Sequence, residues 1–125
     1  MSLEDVNKSE ELRMKDNELI AEFMGLPKED GFYYIEEPVN KYTVEELLYH
    51  SSWDWLMPVV EKIQTMNNCK YIVEITYGYC VINVGTKEKP FYLKGYGEDD
   101  TLLGVYSAIV QFIKWYNKEN NIRLS

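Results

Sequence analysis

Residues 49–63, YHSSWDWLMPVVEKI, place the chain's single histidine, His50, beside Ser51, Ser52 and Asp54. A serine, a histidine and a carboxylate are the three types that a hydrolase triad combines. The serine attacks, the imidazole takes its proton, and the carboxylate orients the imidazole. A triad is defined by geometry and is assembled from separate segments. Side chains one to four residues apart at a helix entrance diverge. The same letters suit a helix start, with Ser51 or Ser52 accepting from free amides and Asp54 adding charge that the helix dipole favours. The helix-start reading is preferred, and no catalytic residue is assigned.

Other chemistry-bearing groups read the same way. Glu98, Asp99 and Asp100 are consecutive carboxylates of the type that binds hard cations, but they match no calcium-loop pattern and precede an apolar helix. Capping by Asp99 or Asp100 accounts for them. Gly95, Gly97 and Gly104 do not have phosphate-loop spacing, and the acids that follow would repel phosphate. Cys69 and Cys80, with one histidine elsewhere, are too few for a structural zinc site. Neither a metal nor a cofactor is expected.

Six tyrosines stand apart. Tyr33, Tyr34, Tyr77, Tyr79, Tyr92 and Tyr96 fall in turns, in a loop or on a mixed sheet face. Tyrosine supplies contact area with a polar end at low entropic cost, so this set is the candidate partner surface. The competing reading is that a second helix, residues 17–24, covers that face.

The elements that would position these residues follow from periodicity. From about Ser9, the residues Leu12, Leu19, Ile20, Phe23 and Met24 approach helical spacing, and Gly25 suits the left-handed closing position. Residues 26–41 read as a loop with a short extended piece at 32–35, bounded by Pro27, Gly31 and Pro38. Thr43 and Glu46 have capping-box spacing. Trp53, Leu56, Met57, Val60 and Ile63 mark a helix over 52–66, with a bend expected at Pro58.

The stretch from Tyr71 to Val84 would span about 46 Å if straight, against a molecule of about 35 Å, so it must reverse at Gly78. With Tyr77-Gly78 as the turn, Tyr71, Val73, Ile75, Cys80, Ile82 and Val84 share one apolar face. Ile72, Glu74, Thr76, Tyr79, Val81 and Asn83 share the other. A one-residue slip would scramble both faces. Phe91–Lys94 is a short third strand with edge character. Leu102, Val105, Tyr106, Ile109, Phe112, Ile113 and Tyr116 form a wide stripe on a last helix, with Gly104, Ser107, Gln111, Lys114 and Lys118 opposite.

These elements define an α+β fold: a small three-stranded antiparallel sheet with helices on one or both faces. The 125 residues fit one domain, with residues 1–8 as a frayed leader and a core over about 16–118. The order of DNELIAEFMG, YHSSWDWLMPVVEKI, a hairpin and LLGVYSAIVQFIKWYN resembles the phage ABA sandwich domain family of small phage and prophage proteins. The resemblance covers about residues 16–118. It implies an α/β/α sandwich of phage or mobile-element origin, and it carries no catalytic residues.

Charge narrows the partners. The net charge is −8, and the whole excess lies in residues 1–50, which hold 13 acidic and 5 basic side chains. Such a chain does not present a phosphate-binding face, so no direct nucleic-acid binding is expected. No signal core or membrane span is visible, and free thiols fit a cytoplasmic protein. The preferred function is a non-enzymatic accessory or protein-interaction module with a protein partner. Two other classes are an acidic nucleic-acid mimic that blocks a host DNA-binding protein, and a small hydrolase using His50.

Overall fold

The reversal at Gly78 organises the larger part of the chain. In the computed structural model, which describes residues 3–35 and 40–121, two compact units divide between Leu48 and Tyr49.

The first unit opens with helix α1 (Leu3–Phe23). It starts at Leu3 instead of near Ser9, in line with a run of good helix formers and no glycine or proline. Met1 and Ser2 lie outside the described residues. Gly25, at φ +73°, ends the helix, and the Gly25 and Leu26 amides donate to the Glu22 and Ala21 carbonyls at 3.0 and 3.1 Å. That is a Schellman closure.

The extended piece expected at 32–35 is a strand, β2 (Phe32–Ile35), and within the stretch read as loop it pairs with β1 (Lys28–Glu29) and β3 (Asn40–Tyr42) in a second small antiparallel sheet. Asp30 and Gly31 join β1 to β2, both at positive φ, as a type I′ turn requires. Pro38 lies outside the described residues. A 3₁₀ turn at Val44–Glu46 follows, and the Glu46 carboxylate accepts from the Thr43 amide at 2.9 Å and hydroxyl at 3.0 Å. Those bonds, the backbone one first, hold the Glu46 carboxyl below its ordinary pKa. Leu19, Ile20, Ala21, Tyr33 and Leu47 are buried, as is Asn17, whose Nδ2 donates to the Leu47 carbonyl at 3.1 Å.

The second unit begins with α2 (Trp53–Cys69). Helical dihedrals persist through Pro58, and the irregularity lies later, with Met66 extended and Asn67, Asn68 and Cys69 at positive φ. The carbonyl that Pro58 leaves without a donor is that of exposed Asp54 in the first turn, where water can satisfy it. The buried stripe is Leu56, Val59, Val60 and Ile63, whereas Trp53 and Met57, assigned to it from spacing, are exposed.

Strands β4 (Ile72–Thr76), β5 (Tyr79–Asn83) and β6 (Tyr92–Tyr96) form the main sheet in the order β4-β5-β6. Thr76 pairs Tyr79, Ile75 pairs Cys80 and Val73 pairs Ile82, so Gly78 is the pivot, at φ +81°. The fold is α+β. On the inner face Val73, Cys80 and Ile82 are buried, while Ile75 is 40% exposed.

Helix α3 (Thr101–Glu119) lies on that inner face, chiefly over β5 and β6, and α2 contacts β4 and α3. Asp100 Oδ1 accepts from the Leu103 amide at 3.1 Å and caps α3. Gly104, placed opposite the apolar stripe by periodicity, is buried. A Cβ there would lie 2.9 Å from the Tyr79 Cα, and one at Gly95 would fall on the Gly104 carbonyl and the Ala108 amide. Glycine lets helix and sheet backbones touch.

Candidate functional site

The structure places Ser52 at the N-cap of α2, one residue before Trp53, and His50 against α3. Ser52 has the extended backbone angles of an N-cap, and its carbonyl accepts the first intrahelical bonds of α2, from the Trp55 and Leu56 amides at 3.2 and 3.0 Å. Its hydroxyl makes no capping bond, which corrects the expected side-chain cap. The His50 ring meets Tyr106 edge-on, with centroids 6.4 Å apart. Tyr49 packs edge-on against Trp55 at 5.2 Å, and burial pushes its phenol up to about 12. These contacts are those of a core.

Cys80 is fully buried on the inner face, and desolvation raises its thiol to about 12, whereas Cys69 is exposed. Among the described residues, no group of three or more His, Cys, Asp or Glu side chains is placed to hold a metal ion. Glu98, at φ +57°, belongs to the turn that receives the hairpin tip. There the Gly97 amide donates to the Gly78 carbonyl at 2.8 Å, and the Gly78 amide donates to Thr101 Oγ1 at 3.0 Å.

The six tyrosines separate. Tyr33 is 1% exposed in the core of the first unit, which removes it from any surface. Its ring lies 5.2 Å from Lys28 Nζ, which pairs with Glu18 at 3.2 Å, and burial raises the phenol to about 12. That Glu18 bond is the main reason the Lys28 ammonium is held above its usual pKa. Tyr34 is half-buried in the same unit.

The other four collect on the second unit. Registers of β4, β5 and β6 put three cross-strand rows on the outer face: Thr76–Tyr79–Tyr96, Glu74–Val81–Lys94 and Ile72–Asn83–Tyr92. Tyr79 and Tyr96 stack with centroids 6.1 Å apart and planes 30° apart. Tyr96 is 66% exposed, and Tyr77, at the hairpin tip beside this row, is 76% exposed. Ile72 and Tyr92 are also exposed. The result is an aromatic and aliphatic patch three strands wide and about 16 Å long, with one acid and one base on its flanks.

The edges of this sheet are closed differently. Gln64 of α2 donates through Nε2 to the Val73 carbonyl of β4 at 3.4 Å. Gln111 of α3 does the same to the Lys94 carbonyl of β6 at 2.7 Å. Both outer strands thus have a main-chain acceptor occupied by a helix side chain, which blunts edge pairing. The two glutamines were not singled out from sequence. Gln111 was placed only on the polar side of its helix, and no periodicity distinguishes an edge-capping glutamine from a solvated one.

No family model, curated protein or solved structure matches this chain. Among the described residues, no helix is long and apolar enough to cross a membrane.

Proposed function

We propose that the chain is a non-enzymatic protein-interaction module and that the outer face of the main sheet is its docking surface. The observation that carries this is the exposed Tyr79–Tyr96 stack on one face of a sheet whose other face is packed against α3. Stacked tyrosines with an apolar floor and polar tips are the composition that protein interfaces favour. An open patch of this kind marks an interaction site more often than incidental exposure. The reading includes an accessory role of the sort phage and mobile elements encode, and a cytoplasmic location. The resemblance to phage ABA sandwich proteins and the free thiols support those two parts.

The test is capture from a bacterial lysate at low and high salt, comparing the native chain with Tyr79→Thr/Tyr96→Thr. Threonine keeps strand propensity and removes the ring. Capture that survives high salt and is lost in the variant is expected. Capture unchanged by the variant overturns the reading.

A further inference from the structure

We propose that this face binds a second copy of the same chain. The two sheets stack face to face about a two-fold axis along β5, with Glu74 of each copy against Lys94 of the other. The inference rests on the reading of the face as a docking surface and names its occupant.

The argument is the charge pattern. Glu74 and Lys94 are exposed and occupy the two ends of the central row, with Val81 between them. They sit on the two outer strands, two strand spacings or about 10 Å apart. Two copies stacked with strands aligned have two simple two-fold axes. An axis across the strands sets Glu74 on Glu74 and Lys94 on Lys94, which repel. An axis along β5 sets β4 of one copy over β6 of the other. Each Glu74 then meets the partner's Lys94, while Val81 and Tyr79 meet their own counterparts. A two-fold interface must be self-complementary in this way, and the face satisfies that requirement along one axis only.

Face stacking is also favoured over edge pairing, because Gln64 and Gln111 already occupy carbonyls of Val73 and Lys94 on the two outer strands. The patch is small. Two copies of it bury an area at the low end for specific interfaces, below about 1,200 Å² in total. Association should accordingly be reversible, in roughly the micromolar range.

Sedimentation velocity over a concentration series on the full chain tests this, with Lys94→Glu, Glu74→Lys and the double reversal, each checked for folding by circular dichroism. A monomer–dimer equilibrium is expected, weakened about tenfold or more by either single reversal and restored by the double reversal. A native chain that stays monomeric throughout, or a dimer indifferent to the reversals, overturns the proposal. Hydroxyl-radical footprinting of Tyr79 and Tyr96 separates the two levels of the argument. Reactivity that falls as the dimer forms supports both. High reactivity at every concentration overturns self-association alone and leaves the open docking face. Low reactivity already in the dilute monomer overturns both.

Discussion

Gly95 of β6 and Gly104 of α3 lie back to back, so closely that a Cβ on Gly95 would occupy the position of the Gly104 carbonyl. The sheet presents its tyrosine face outward because the helix is seated on the backbone of the other face at this point. Gly95→Ala is therefore expected to destabilise the second unit by about 3 kcal/mol, since backbone cannot yield as a side chain can. Leu103→Ala, on the exposed flank of α3, should cost under about 0.5 kcal/mol. Urea unfolding followed by tryptophan fluorescence reads this unit selectively, because Trp53, Trp55 and Trp115 all lie within it.

The first unit turns on a polar group. Asn17 is 1% exposed and donates from α1 to the Leu47 carbonyl. Asn17→Ala leaves that carbonyl without this donor, at a cost of about 1–3 kcal/mol. Hydrogen exchange in peptides covering residues 8–25 should accelerate by roughly tenfold.

The two thiols differ in access. A thiol reagent applied to the folded chain should modify Cys69 rapidly and Cys80 only on unfolding, because Cys80 is buried and protonated. Cys69→Ser should abolish the fast phase. A fast phase that survives this substitution would mean that the inner face of the sheet opens readily.

Alkaline pH should weaken the second unit. Burial raises Cys80 from 9.0 and Tyr49 from 10.0, each to about 12. Between those limits the unfolded chain releases these protons while the folded chain keeps them. Fewer protons bound in the unfolded state make stability fall as pH rises, by up to about 1.4 kcal/mol per pH unit for each group. The contribution is complete below about pH 9, declines from there to about pH 12, and is checked by urea midpoints over that window.

The hairpin, its register and the last helix were legible in the amino-acid sequence. A slip by one residue at Gly78 would have mixed Val73 and Ile82 with Glu74 and Asn83, so the pattern admitted one pairing. Of the smaller sheet only β2 was read, as an extended piece at 32–35, and its partners β1 and β3 were not, although Asp30-Gly31 is a strong type I′ signal. Strands of two or three residues are too short for alternation to register. Gly104 was misplaced because a periodicity argument counts side chains, and glycine acts here by lacking one.

Which of the six tyrosines are exposed was not legible. Tyr33 and Tyr79 look alike in sequence, both aromatic and near turns. Only the pairing of β2 and β5 in their separate sheets shows that one is enclosed and the other open. Ser51 or Ser52 was expected to cap α2 through its hydroxyl, and Ser52 takes the N-cap position without that bond. Its carbonyl makes the first intrahelical bonds, to the Trp55 and Leu56 amides, as any N-cap carbonyl does, and periodicity does not say whether a side-chain cap is added.

The most direct measurement is the Tyr79→Thr/Tyr96→Thr variant followed in two readouts, unfolding free energy and binding. Both rings are exposed and contribute through one cross-strand pair, so stability should fall by no more than about 2 kcal/mol while binding at the sheet face is lost. A variant destabilised by several kcal/mol more than this, or one that binds as the native chain does, would make the tyrosine stack part of the scaffold and contradict its role as a docking surface.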